Sequence, residues 1–206
     1  SLPAEERIKN VLELVGSDKI ILNDSDNMIK FKSLGMKIDL GAIAKGYAVD
    51  CAVKKLREKG IKSCLITAGG QVYALGDKPR PSSKALFHLN EGRGKFGKPW
   101  KIAIRDPREK GIVDYLELKD KSVATSGDYE QFFIKDNRRY SHILNPKTGY
   151  PADSGVISVT VIASSGLTAD ALSTAIFVLG KEKGEALAKK FSDVQVKIID
   201  KKTCSK

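Results

Sequence analysis

The chain has 206 residues, 41% hydrophobic and 30% charged, a balance that suits one water-soluble globular domain with a sizeable core. No apolar run reaches the length needed to cross a bilayer, and no charged-then-apolar leader stands at the start. The formal net charge is +11, and the excess is regional: residues 45–110 carry 16 Lys/Arg against 6 Asp/Glu. Such a region fits an anionic, phosphate-bearing partner or a lysine-rich solvated face.

In chain order, residues 3–15 read as a helix, with Pro3 in the first turn, Ile8, Val11, Leu12 and Val15 on one face, and Gly16 as the stop. Short strands follow at 19–23, 28–32 and 36–40, separated by Asn, Asp, Ser and Gly. A second helix spans 42–59 and ends at Gly60, and strands at 62–67 and 71–75 are split by Gly69-Gly70. Residues 77–99, rich in Gly, Pro, Lys and Ser, read as a long basic loop that also holds His88. Strands resume at 100–105, 113–118 and 121–125, and 129–144 reads as a hairpin turning at Asp136-Asn137. Dense turn chemistry at 145–151 precedes a strand at 156–163. Helices at 168–179 and 182–191 and a strand at 194–200 complete the order. Strands and helices out of strict β-α-β alternation predict an α+β fold with three to four packed helices. Cys51, Cys64 and Cys204 lack metal-type spacing; the odd number argues against a disulfide framework, and Cys51 and Cys64 read as core.

Four segments carry possible chemistry. In Asp39-Leu40-Gly41-Ala42-Ile43-Ala44-Lys45-Gly46, an acid ends a strand and small residues lead into a helix whose first turn holds a lysine. That pattern suits a phosphate at the helix N-terminus, or an ordinary strand-to-helix turn. In Ser165–Thr174, Thr168 is a fair N-cap, and Asp170 and Thr174 share a helix face at i, i+4. A carboxylate and a hydroxyl so placed suit a hard cation such as Mg2+; read alone, they equally suit a plain helix start. His142, in Tyr140–Gly149, is placed to act as a general base or to hold a strand end. Ser126-Gly127-Asp128 reads as a turn that could offer backbone amides to a ligand. No P-loop, dinucleotide fingerprint, nucleophile elbow or zinc spacing occurs, which disfavours a classical NTPase, a Rossmann dehydrogenase and an α/β-hydrolase.

Six ordered stretches together resemble the ApbE family of FAD:protein FMN transferases: DLGAIAKGYAVD (39–50), TAGGQVYALG (67–76), WKIAIRDPR (100–108), ATSGDYEQF (124–132), YSHILNPKTGYP (140–151) and VTVIASSGLTADALSTAIFVLG (159–180). The resemblance implies an ApbE-like, T-fold-type arrangement of mixed sheets, forming one catalytic domain over residues 1–206 that lacks the segment family members carry N-terminal to it. It implies that FAD is cleaved at its pyrophosphate with Mg2+, that FMN passes to a Thr or Ser hydroxyl of a target flavoprotein, and that AMP leaves. FAD hydrolysis to FMN and AMP, or flavin binding without catalysis, are the alternatives it leaves. Carried over residue by residue, the metal site falls on the Ala42 carbonyl, Asp170 and Thr174. Flavin-nucleotide contacts fall on Asp39, Lys45, Ser141, His142 and Ile143, and the base on His142, with Asp39 as a competitor for that role. The resemblance also implies an extracytoplasmic location, with any membrane tether outside this chain. A nucleic-acid partner is not expected, because the basic region lacks interleaved aromatics.

Overall fold

The computed structural model describes residues 3–79 and 97–201. Residues 80–96 of the expected basic loop, with His88, and Cys204 lie outside the described residues. Among the described residues the backbone forms four α-helices, α1 (Glu5–Leu12), α2 (Ala44–Glu58), α3 (Gly166–Leu179) and α4 (Lys181–Ala188). The strands are β1 (Ile20–Asn23), β2 (Met28–Phe31), β3 (Cys64–Ala68), β4 (Gln71–Leu75), β5 (Trp100–Arg105), β6 (Ile112–Leu118), β7 (Lys121–Gly127), β8 (Phe132–Lys135), β9 (Arg138–Ser141), β10 (Val156–Ala163) and β11 (Gln195–Asp200).

Five strands form the central sheet in the order β11-β10-β7-β4-β3, and β1-β2, β5-β6 and β8-β9 are separate ribbons. The fold is therefore α+β, and every strand pairing among the described residues is antiparallel.

All eight residues of β10 are buried, because this strand is paired on both edges and covered on both faces. Its Val159, Val161 and Ala163 join Ala124 of β7 and Ala169, Leu172, Ile176 and Phe177 of α3 in one apolar cluster. Ile162 and Val123 face the other way and pack with Ile104, Leu116 and Leu118 of the β5-β6 ribbon. Alternation along each strand thus assigns one face to the helices and the other to the ribbon. α2 covers the β3-β4 end through Val49 and Val53, which pack with Tyr73 and Leu75. Of the two polar residues of buried β10, Thr160 Oγ1 meets Thr125 Oγ1 at 2.9 Å, and Ser158 sits in the ladder opposite Gly127.

The expected elements match closely, with four differences. Residues 36–40 form no strand; no neighbouring strand pairs them, and Ile38 and Leu40 are exposed. The first helix is shorter than 3–15 and buries no residue, although Ile8 and Leu12 lean on Gly149 of the 145–151 turn. The third helix starts at Gly166, and Ser165, not Thr168, is its N-cap; Ser165 Oγ accepts the Thr168 amide at 3.2 Å. Cys51 is exposed rather than core, because α2 turns its Val49–Val53 side to the sheet. The hairpin turn is as expected, with Asp136 and Asn137 at φ 49° and 57°, the twist that tight two-residue hairpins need. No helix among the described residues is long and apolar enough to cross a membrane.

Candidate active site at the crossing of two helices

The first buried residue among those described is Gly46, where α2 meets α3. The approach is too close for a side chain: a Cβ on Gly46 would lie 2.3 Å from the Gly166 carbonyl oxygen. This contact brings the start of α2 beside Asp170, one turn into α3. Asp170 Oδ2 accepts the Gly46 amide at 2.9 Å, and Oδ1 lies 3.1 Å from Lys45 Nζ. Asp170 is 3% exposed, so its charge is held by these two donors rather than by water.

The turn before α2 is shaped by Asp39, whose Oδ1 accepts the Gly41 amide at 2.7 Å. The Ile43 and Ala44 amides both fold back to the Leu40 carbonyl, at 2.9 and 2.8 Å. Lys45 Nζ reaches back to the Gly41 carbonyl at 3.3 Å while its stem runs over Gly69, whose Cβ position would lie 2.9 Å from Lys45 Cδ. The Gly46 amide, which in a continuous helix would return to residue 42, goes to Asp170 instead. Among the described residues no backbone amide donates to the Ala42 carbonyl, and Ala42 itself is exposed.

Thr174 follows Asp170 by one turn on the same face. Its Oγ1 lies 3.1 Å from Ser126 Oγ at the end of β7, which also meets Ser173 Oγ at 2.9 Å. Ser173 Oγ donates to the Asp170 carbonyl at 2.9 Å. The Ser126-Gly127-Asp128 segment therefore meets the helix through a side-chain hydroxyl. Asp128 is held by a bidentate pair with Arg108, both bonds 2.7 Å.

Asp39, Lys45 and Asp170 are thus joined by direct contacts or through Gly41, with Ala42 in the same turn and Thr174 on the same helix. His142 is not joined to them by any hydrogen bond or ion pair among the described residues. It is exposed, and its Nδ1 lies 3.0 Å from the Gln131 carbonyl, which also accepts the His142 amide. A bond to that carbonyl requires the proton on Nδ1, which leaves Nε2 as the basic nitrogen in the neutral ring. Ser141 and Ile143 on either side are buried, and Ser141 Oγ accepts the Ile143 amide at 3.2 Å. Ile143 shares an apolar cluster with Ala169 and Leu172, so the segment that carries His142 is anchored against the helix that carries Asp170.

The residues fit a hard cation. A main-chain carbonyl without a helical donor, a carboxylate and a hydroxyl form an all-oxygen set, the kind Mg2+ takes. No three His, Cys, Asp or Glu side chains cluster as a cage among the described residues. A cation held by so few protein ligands keeps positions for water and phosphate oxygens.

A separate concavity of about 450 Å³ lies beside Asp50, Lys54, Arg57, Tyr73, Ser164 and Ser165, and none of the predicted site residues lines it. Burial pushes the Tyr73 phenol above its ordinary value, so it is a neutral hydroxyl there.

Reading residues in isolation missed Asp50, Gly46, Gly166 and the role of Ser126. The available signal was a spacing: Gly46-x-x-x-Asp50 and Gly166-x-x-x-Asp170 are the same pattern, one on each crossing helix.

This antiparallel α+β fold is shared with solved ApbE proteins. The crystal structure of the ApbE protein of Thermotoga maritima superposes with a TM-score of 0.81 at 38% identity, over 98% of this chain and 60% of that one. The sequence pattern of the ApbE family matches residues 1–198, and the chain belongs to that family. It is 41% identical over 173 residues to the FAD:protein FMN transferase of Treponema pallidum (strain Nichols), covering 83% of this chain and 46% of that protein. It is 33% identical to the FAD:protein FMN transferase of Klebsiella pneumoniae (strain 342), over 98% of this chain and 57% of that protein. The chain spans about half the length of the curated relatives it matches.

Proposed function

We propose that this chain carries the metal-holding part of a Mg2+-dependent FAD:protein FMN transferase. The observation that carries the reading is that the Gly46 amide goes to the buried Asp170 carboxylate, which leaves the Ala42 carbonyl without a backbone donor among the described residues. Asp170, the Ala42 carbonyl and Thr174 Oγ1 would hold Mg2+. When bound, Mg2+ withdraws charge from the pyrophosphate of FAD and from the departing AMP. Lys45, 41% exposed at its side chain, is long enough to leave Asp170 for a phosphate oxygen once a cation neutralises the carboxylate.

The reaction joins an acceptor Thr or Ser hydroxyl oxygen to the FMN phosphorus and breaks the anhydride bond to AMP. The acceptor proton must go to a base, and His142 Nε2 is exposed, basic in the tautomer its Nδ1 contact favours, and anchored to the α3 cluster. Asp39 is the weaker candidate, since one of its oxygens already accepts the Gly41 amide. The partners of this reading are FAD and a target flavoprotein on the extracytoplasmic side. Incubation with FAD, Mg2+ and a target flavoprotein domain, read by in-gel flavin fluorescence and by AMP release, tests it. Covalent flavin with equal AMP supports transfer. AMP without covalent flavin means hydrolysis, and the absence of both products would contradict catalysis by this chain.

A further inference from the structure

The crossing of α2 and α3 is nearly two-fold in its chemistry. Each helix carries Gly-x-x-x-Asp, and each glycine amide donates to the aspartate of the other helix: Gly46 to Asp170 at 2.9 Å, Gly166 to Asp50 at 2.6 Å. Each glycine also leaves the other no room, since a Cβ on Gly166 would lie 2.8 Å from the Gly46 carbonyl oxygen. The two carboxylates nonetheless differ. Asp50 also takes the Ser165 hydroxyl at 2.8 Å and the Leu167 amide at 3.0 Å, so both its oxygens are committed to the start of α3. Asp170 has one amide and the partly exposed ammonium of Lys45. One aspartate is saturated by fixed neutral donors at a helix N-terminus, where a carboxylate is favoured and a cation is not. The other keeps capacity for a cation.

We propose that Asp50 is a positioning residue for the cation site. By gathering three donors at the first turn of α3, it seats Gly166 against Gly46 and so holds Asp170 at the Gly46 amide. That placement in turn leaves the Ala42 carbonyl open. Gln71, fully buried at the start of β4, ties the same point to the sheet by donating to the Gly166 carbonyl at 2.8 Å and to Ser122 Oγ at 3.0 Å. Asp50 itself touches neither metal nor substrate. Its removal acts through the neighbouring helix, as loss of an outer partner does at other metal sites.

This inference rests on the proposed cation site, and its test separates the two. Asp50→Asn keeps the side-chain shape but places an NH2 among N–H donors; Ser165→Ala removes one of the three bonds to Asp50, together with the cap to the Thr168 amide, and is the milder variant at Asp50. Two quantities are measured on the chain: hydrogen exchange of the Gly46 amide, with the β10 amides as the control for intact folding, and affinity for Mn2+ alone, read by its paramagnetic signal as a stand-in for Mg2+. The expected result is faster exchange at Gly46 and a Kd for Mn2+ raised about 10- to 100-fold in Asp50→Asn, with a smaller change of the same kind in Ser165→Ala. Faster exchange confined to Gly166 and Leu167, with Gly46 and the Mn2+ affinity unchanged, would mean that Asp50 only caps α3 and would overturn the proposal. If Asp50→Asn does not fold, Ser165→Ala decides by the same two readings. A native chain that binds no Mn2+ contradicts the cation site itself, and the Gly46 exchange then decides whether Asp50 positions the helix crossing.

Discussion

The Gly46 amide donates to Asp170 Oδ2 at 2.9 Å, and this one bond leaves the Ala42 carbonyl outside the helical ladder. A main-chain oxygen at the start of a helix is normally consumed by the amide four residues on. Here a carboxylate from another helix takes that amide, so the same contact positions the acid and exposes the carbonyl.

Replacing Gly46 by Ala should be costly. The new Cβ would meet the Gly166 backbone at 2.3 Å, and backbone cannot swing aside as a flexible side chain does. Separation of the helices should lower stability by about 1–3 kcal/mol, the usual range for overpacking a close contact. Chemical denaturation of Gly46→Ala beside an exposed-helix control such as Ala48→Ser measures it.

Lys45 neutralises Asp170 when no cation is bound, because Nζ lies 3.1 Å from Oδ1. In Lys45→Ala the buried carboxylate retains the Gly46 amide alone among the described residues, which disfavours the metal-free fold. Added Mg2+ should therefore raise the Tm of Lys45→Ala by more than it raises that of the native chain. Equal shifts in a thermal-melt titration would show that Lys45 and the cation do not address the same carboxylate.

His142 should separate chemistry from binding. Among the described residues its imidazole makes one hydrogen bond, from Nδ1 to the Gln131 carbonyl, so truncation to Ala disturbs little of the fold. Transfer of FMN should fall about 10²- to 10⁴-fold, the usual contribution of a general base, with FAD affinity nearly kept. Single-turnover transfer and equilibrium FAD binding, measured side by side, check it; transfer at the native rate would point to Asp39 or another base.

Asp193 ties the end of β10 by accepting from the Ser164 hydroxyl and from the Ser164 amide, the latter at 3.0 Å. The hydroxyl bond first, and the amide bond next, hold its carboxyl below the ordinary carboxylate value. A depressed folded value stabilises the fold above the unfolded pKa of about 3.9 and loses that contribution as pH falls through the folded value. Asp193→Asn should thus be less stable than the native chain at neutral pH, with the gap closing at strongly acid pH. The side chain is exposed, so solvent screens the effect and the gap is small. Denaturation midpoints across that pH range measure it.

Much of this fold is legible in the residues because local signals agree with it. The β8-β9 turn follows from Asp136-Asn137, whose side chains tolerate positive φ, and β10 follows from its Val/Ile run. Residues 36–40 alternate like a strand, yet a strand needs a neighbour, and none pairs them. The apolar face of α1 reads as core but buries no residue, since periodicity reports an amphipathic helix and not what covers it. At the site, Asp170 and Thr174 were visible as a face of one helix. The Asp39–Lys45 turn was visible as a small-residue entry to another. That the two meet at Gly46 and Gly166, 120 positions apart, is a tertiary fact that no local window contains. The same holds for Ser126, a turn residue by sequence and a hydroxyl partner of Thr174 in the fold.

The most direct test of the account is the Mg2+ dependence of FMN transfer in Asp170→Asn beside the native chain, both supplied with FAD and a target flavoprotein domain. Asn keeps the volume and one oxygen for the Gly46 amide but gives up the charge that a cation needs. Covalent flavin should rise with Mg2+ and saturate for the native chain, and stay at background for the variant at every Mg2+ concentration while its fold is intact by circular dichroism. Equal Mg2+-dependent labelling by the two proteins would contradict it.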